Sequence, residues 1–311
     1  MLKYIARRIA IAIPTVLAIV FIVFFIARLA PSSPIDIMMA GKATPQARAA
    51  LERAYGLDKP VPVQFLSYLA GLLHGNLGRS FSEGGRPVSQ MFEKAFPVTA
   101  QLAIQALLFA MAAGLPIGIL AALYHNSWFD RISMGLVVLL VSIPSFVLGP
   151  ALVLLFAVRL GWLPVSGWDT PASTILPTIT LGARAAAFIA RFMRSSLLDT
   201  LHQDYLRTAL AKGLSRAQAV RKHALKNAFL PVLTVLGTNL GNLMTGSFVV
   251  ETIFQVPGVG YESIRSITTR DYPVIQATTL LVAVIFVTVN LIVDLLYGVI
   301  DPRVRVIGAK K

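Results

Sequence analysis

Residues 205–231 read YLRTALAKGLSRAQAVRKHALKNAFLP, six Lys or Arg and no acid inside a chain of 311 residues that is 56% apolar. At about 100° per residue, Leu206, Leu210, Leu214, Ala217, Val220, Ala224 and Ala228 fall in one stripe. Arg207, Lys212, Arg216, Lys222 and Lys226 lie opposite, with Arg221 at the edge. Gly213 costs about 1 kcal/mol in a helix interior relative to Ala, so the pattern predicts two short helices meeting at a turn there. The stripe suits either a surface helix resting on anionic headgroups or a docking surface for a cytoplasmic partner.

The rest of the chain supplies the membrane. Charged residues make up only 14%, and the mean hydropathy is +0.73, far above a soluble domain of this length. Five segments hold the roughly 20 apolar residues that a crossing helix needs: 9–29, 97–124, 132–158, 229–250 and 274–300. A sixth, 175–193, contains Pro177, Gly182 and Arg184. The N-terminal apolar run is too long for a cleaved signal and predicts a retained span.

The basic stretch decides the count. With six crossings and both ends in the cytoplasm, inside segments (1–8, 124–131, 191–228, 301–311) hold 16 Lys or Arg against 4 acids. Outside segments (28–96, 159–173, 251–273) hold 11 against 9. With five crossings, residues 191–228 and the C-terminus would face outward, against the positive-inside bias. The net charge of +14 is therefore an insertion signal and does not imply nucleic acid. The expected layout is an N-terminal span (1–30), an external insertion (31–96), a five-helix core (97–300) with a cytoplasmic loop at 194–228, and a cytoplasmic tail (301–311).

Several chemistries are excluded. Without cysteine there are no disulfides, thiolate nucleophiles or Cys-based metal sites. No GxxxxGK[ST] phosphate cradle occurs, the nearest glycine pair being in GNLGRS at 75–80, and no HExxH is present. His74, His125, His202 and His223 are scattered over loops and helix ends, so no metal or catalytic site is expected.

Within the membrane, Thr234, Thr238, Gly241, Asn242 and Thr245 draw a small and polar stripe, and Gly237 with Gly241 forms a GxxxG. Such a stripe serves close helix packing or a translocation path. Arg184 lies inside a span, where a guanidinium needs a wet cavity or a partner, and its fork suits a carboxylate. Asp294, near a helix end, reads as structural. Residues 63–74 predict an external helix with an apolar face.

RTALAKGL and HALKNAFLP resemble the cytoplasmic EAA motif of ABC importer permeases. Arg207, Thr208 and Ala209 stand where that motif has E-A-A, Gly213 matches its glycine, His223 takes the Ile place and Leu225 the Leu. The Arg at 207, the Lys at 226 and the later Pro231 resemble the variant of the dipeptide, oligopeptide and nickel branch. RRIAIAIPT, YGLDKPVPVQFLSYLAGLLHGNLGRSF, SIPSFVLG, LPVSGW, ETIFQVPGVG, RDYPVIQA and NLIVDLLYGVIDPRVR extend the likeness to a B-type permease subunit over nearly the whole chain.

The resemblance implies an all-α, type I ABC importer permease fold in a bacterial inner membrane. It also implies a homologous second permease subunit, two ABC ATPase subunits that carry ATP and Mg, and an external solute-binding protein, with no cofactor on this chain. ATPase coupling would fall to Arg207, Thr208, Ala209, Lys212, Gly213, Leu214 and Ser215. The substrate path would involve Arg184, Thr234, Thr238, Asn242 and Thr245. Binding-protein docking would fall near Asn76, Gly78, Ser80, Gly258 and Gly260. Di- or oligopeptides are the expected cargo, with a nickel chelate or glutathione as the alternative. A secondary transporter acting alone is the competing class, thinly supported by a single membrane acid.

Overall fold

The computed structural model describes residues 2–28, 35, 39, 44–245 and 247–300, with side chains given for 10–28, 35, 39, 44–244 and 247–292. The expectations for Thr245, Asp294 and the tail at 301–311 therefore fall on side chains or residues outside that description.

Thirteen helices can be numbered among the described residues. They are α1 (Leu2–Arg28), α2 (Pro45–Ala54), α3 (Val61–Leu73), α4 (Val88–Leu123), α5 (Trp128–Ser142), α6 (Ser145–Leu152), α7 (Pro171–Leu201), α8 (Asp204–Ala211), α9 (Arg216–Ala219), α10 (Leu225–Thr245), α11 (Phe248–Phe254), α12 (Val259–Thr268) and α13 (Tyr272–Ile300). Wider π-type turns extend α6 over Val153–Arg159 and join α9 to α10 over Val220–Ala224.

Four helices are long and apolar enough to cross alone: Ala10–Arg28, Val88–Leu123, Pro171–Leu201 and Tyr272–Ile292. Two further crossings need a bent pair each. The expected continuous span over 132–158 is corrected here. Ile143 takes an extended conformation ahead of Pro144, α5 stops, and the chain resumes as α6 at 106° to it. The proline ring disfavours the helical region for its predecessor, and Ile143 leaves it, so an apolar run that reads as one helix folds as two.

The doubtful sixth span is the best packed. α7 opens on a capping box in which Thr170 and Ser173 bond reciprocally, with Pro171 at its first turn. It then lies along α4 so closely that three glycines meet backbone. A Cβ on Gly114 would sit 2.5 Å from the Ala186 carbonyl oxygen, and one on Gly182 would sit 2.7 Å from that of Ala106. Gly118 rests on the Ala190 carbonyl in the same way. Between lipid-embedded helices, dispersion at such close approach supplies the attraction that the hydrophobic effect cannot. Ala106, Ala110, Ile189, Ala190 and Met193 complete this seam, all essentially inaccessible.

After the first span, α3 leans on the end of α1. Phe65 packs edge-on to Phe21 and Phe24, Tyr68 stacks on Phe24, and the Arg28 guanidinium donates twice to Gln64 Oε1 at 2.9 and 3.0 Å. Leu66 and Leu73 remain exposed, which suits a helix lying in the membrane interface. Burial pushes the Tyr68 phenol up to about 12, against the pull of Arg28.

Candidate functional site

The basic stretch folds as two short helices hinged at Gly213, whose φ of +89° belongs to the left-handed region that glycine enters freely. α8 ends at Lys212. Beyond the hinge, Ser215 caps α9 by accepting from the Gln218 N–H while the Gln218 side chain accepts from the Ser215 N–H. Leu206, Ala209, Ala219, Val220, Ala224 and Ala228 point inward and pack with Ile189, Met193 and Leu197 of α7. Ser196 Oγ donates to the Ala228 carbonyl at 2.8 Å, tying α7 to α10.

The single-helix stripe is corrected on both sides of the hinge. Leu210 and Ala217, assigned to the packed face, are exposed, and Ala219 is buried in their place. Beyond the hinge, the turn at Gly213 breaks the rotation that a continuous helix would carry through; before it, Leu206 and Ala209 alone form the packed face of α8 and Leu210 lies outside it. Of the residues expected to couple to an ATPase, Arg207, Thr208, Lys212, Gly213 and Ser215 are exposed, Leu214 is half-buried, and Ala209 faces inward, where it packs within the chain. Tyr205 and Leu210, at 39% and 42% exposure, add an apolar patch among the bases that the EAA comparison overlooked.

A clamp lies beside this loop. Arg194 of α7 grips Asp130 with two hydrogen bonds of 2.6 and 2.7 Å, and His125 stands 3.1 Å from the same guanidinium. Asp130 also accepts from the Asn126 N–H, so the α4–α5 turn is held against α7. A bidentate Arg–carboxylate pair of this kind is geometrically specific as well as strong. Nothing in the local sequence pairs residues 64 positions apart, so the clamp was not legible beforehand.

Inside the membrane, Thr238 and Asn242 lie on the exposed side of α10, opposite buried Val232, Leu236 and Leu243. Gly241 turns instead toward Val289 of α13. Thr234 Oγ1 is buried without a hydrogen-bond partner among the described residues. The Thr238–Asn242 face is therefore no packing seam within this chain. Arg184 is exposed midway along α7, its guanidinium 5.8 Å from the Phe188 ring. A charged Arg at mid-helix costs at least about 2.5 kcal/mol against lipid, so this face demands water or a partner.

The end of the core away from the basic loop is organised by two buried carboxylates. Glu251 on α11 accepts from Thr99 Oγ1 at 2.9 Å, from Ser247 Oγ, and from the Tyr261 N–H at 3.0 Å, while Thr99 Oγ1 accepts from the Val259 N–H. The knot joins α4, α11 and the start of α12. A Cβ at Gly258 would lie 2.5 Å from both Glu251 Oε2 and Thr99 Oγ1, and one at Gly260 would lie 2.7 Å from Phe248 Cα and 2.8 Å from Glu251 Oε2. Asp271 accepts from Ser80 Oγ, from Ser82 Oγ at 2.7 Å and from the Phe81 and Ser82 N–H groups at 3.0 Å each, anchoring the external loop to the head of α13. Of the residues expected at the binding-protein face, Asn76 is exposed and Gly78 half-buried, whereas Ser80, Gly258 and Gly260 are buried in these knots. Their contacts are internal.

Near the Asp271 anchor, Arg265 bonds Glu83 at 2.7 Å. The Glu262 carboxyl is raised above the usual range by burial, with Glu83 adding to the effect and Arg265 and Arg86 opposing it. Asp271→Ala strands two hydroxyls and two N–H groups, of which only the Ser80 hydroxyl belongs to a buried residue and bears the full cost, on the order of 1–3 kcal/mol. Limited proteolysis should then cut residues 77–87 at least about tenfold faster while the spans stay intact. Unchanged cleavage would mean that the loop is held elsewhere.

A helical membrane core whose basic, hinged loop is docked on its longest packed helix pair defines the class: a type I ABC importer permease. The chain belongs to the binding-protein-dependent transport system inner membrane component family, whose model matches residues 114–306, with the family's N-terminal model matching residues 1–103. It is 43% identical over 305 residues to the glutathione transport system permease protein GsiC of Salmonella choleraesuis (strain SC-B67), covering 98% of this chain and 99% of that one. The GsiC of Escherichia coli (strain K12) is 41% identical over the same shares. Among solved structures, the inward-facing MetNI methionine ABC transporter superposes with a TM-score of 0.60 at 20% identity, over 68% of this chain and 97% of that one. An amino acid ABC transporter gives 0.53 at 17%, over 67% and 94%. These two establish the fold alone. The chain is thus a multi-pass inner-membrane permease component rather than an enzyme, and it works with ATPase and substrate-binding partners.

Proposed function

We propose that this permease imports a short peptide of the glutathione kind, the alternative named above, in preference to a broad range of di- and oligopeptides. The observation that carries this is the 43% identity, end to end, to permeases named for glutathione transport. Glutathione is a tripeptide with two carboxylates, so the membrane arginine is chemically suited to it.

In this reading the termini and the loop at 194–228 face the cytoplasm. The exposed parts of α8, the Gly213 hinge and α9 insert into an ATPase subunit. ATP and Mg act in that subunit, and its closure shifts the permease between two access states. A homologous second permease covers the exposed Thr238–Asn242 face, so that the path runs between the two chains. The external binding protein docks around Asn76 and the surfaces shaped by the Glu251 and Asp271 knots.

The test is uptake into proteoliposomes holding the permease pair, the ATPases and the binding protein encoded beside this chain. ATP-dependent uptake of glutathione exceeding that of a neutral dipeptide and of a nickel–histidine complex is expected. Dipeptide uptake without glutathione uptake would overturn the cargo. Uptake that proceeds without the ATPase subunits would overturn the importer mechanism and favour a secondary transporter.

A further inference from the structure

Arg184 is not alone on its face of α7. Arg191, seven residues on, returns to within about 20° of the same direction and lies roughly 10 Å further along the axis. It is equally exposed. Phe188 stands between them, its ring centroid 5.8 Å from the Arg184 guanidinium carbon and 5.3 Å from that of Arg191, and Phe192 lies 5.9 Å from Arg191. Among the described residues no carboxylate pairs with either arginine.

Depth follows from the clamp. Arg194 and Asp130 belong to the cytoplasmic edge, and Arg184 is ten residues nearer the outside, about 15 Å up the helix. That is half of a hydrocarbon core of about 30 Å. Arg184 therefore sits near the bilayer midplane, where lipid cannot cover it cheaply, and Arg191 lies on the same face about 4.5 Å from the cytoplasmic edge. The aromatic ring between them supports both guanidinium groups by cation–π contact and leaves their N–H forks free for a ligand.

We infer that Arg184 and Arg191 are two successive carboxylate-binding stations of the translocation path, which make it selective for anionic solutes. The inference rests on the importer reading above and adds the solute's charge class and a second site residue. A carboxylate released at the midplane binds Arg184 first and passes to Arg191 on its way inward. Two stations in series hold an anion while leaving it a next partner, so neither needs to bind tightly.

The absence of cysteine provides a test that does not depend on knowing the cargo. In the assembled complex, Arg184→Cys is treated with two methanethiosulfonates, one carrying a sulfonate and one a trimethylammonium group, without nucleotide and with ATP. The thiol is expected to react in at least one state and to prefer the anionic reagent by about fivefold over a free thiol, from the field of a cation some 10 Å away. Arg191→Gln should bring that preference down to the free-thiol value, and Arg191→Lys should retain it. A thiol that reacts in neither state, or a preference indifferent to residue 191, overturns the inference. Import supplies a second readout: Arg184→Gln and Arg191→Gln should each slow glutathione uptake about tenfold, the loss of one charge-assisted contact. If wild type imports no glutathione but the thiol pattern holds, the cargo reading fails and the stations stand. If glutathione enters and the thiol pattern is absent, the stations fail.

Discussion

Gly118→Leu should leave almost no folded permease, an outcome decided by backbone packing and not by any functional group. A Cβ at Gly118 would overlap the Ala190 carbonyl oxygen and lie 2.8 Å from Met193 Cβ. The carbonyl belongs to a helix backbone and cannot swing aside, so α4 and α7 must separate. Separation also opens the contacts at Gly114 and Gly182, because the three glycines share one seam. Overpacking a well-filled interior costs about 1–3 kcal/mol where side chains can yield. Here they cannot, and native proteins have only about 5–15 kcal/mol in hand. Monodisperse protein recovered from detergent should fall at least about tenfold for Gly118→Leu and by a smaller factor for Gly118→Ala. Gly135→Leu is the matched control, since a Cβ there meets nothing within 4 Å. Normal recovery of Gly118→Leu would show that the seam is not what holds the core together.

That seam marks the boundary of what the sequence discloses. Crossings were legible because lipid imposes a length and a composition. The hinge at Gly213 was legible because glycine in a basic amphipathic run has few other uses. Pro144 was visible, but whether a proline kinks a span or ends it depends on what the next helix packs against. The glycines 114, 118 and 182 are likewise plain in the sequence, whereas the carbonyls they meet are set by the crossing of α4 and α7. The buried acids were harder still. Glu251 and Asp271 sat inside quoted motifs with no role assigned, since a carboxylate bound by hydroxyls and N–H groups from distant helices leaves no local spacing to read. Gly258 and Gly260 were the available signal: two glycines seven and nine positions after an acid, kept small by that acid, by Thr99 and by the backbone at Phe248.

The hinge carries the other large effect. Gly213→Arg should abolish import while leaving the permease inserted and folded. A Cβ at Gly213 meets nothing within 4 Å, so no packing within this chain is disturbed. The positive φ is strained for any other residue, by roughly 1–2 kcal/mol, and that strain falls on the turn between α8 and α9. Gly213→Ala isolates the strain and should slow import only a few-fold, because a partner clamped on the loop can repay part of it. Arg adds a long charged side chain to the exposed patch of Tyr205, Arg207, Leu210 and Lys212. In a desolvated contact, one such intrusion costs on the order of 2–4 kcal/mol. Copurification of the ATPase subunits and ATP-driven uptake should then drop together by at least about thirtyfold. Deleting residues 212–215 should do the same. A loop that merely rests on anionic headgroups would behave oppositely, because an added cation strengthens that contact. Wild-type copurification and uptake in Gly213→Arg would therefore remove the coupling role and return the basic stretch to the lipid surface.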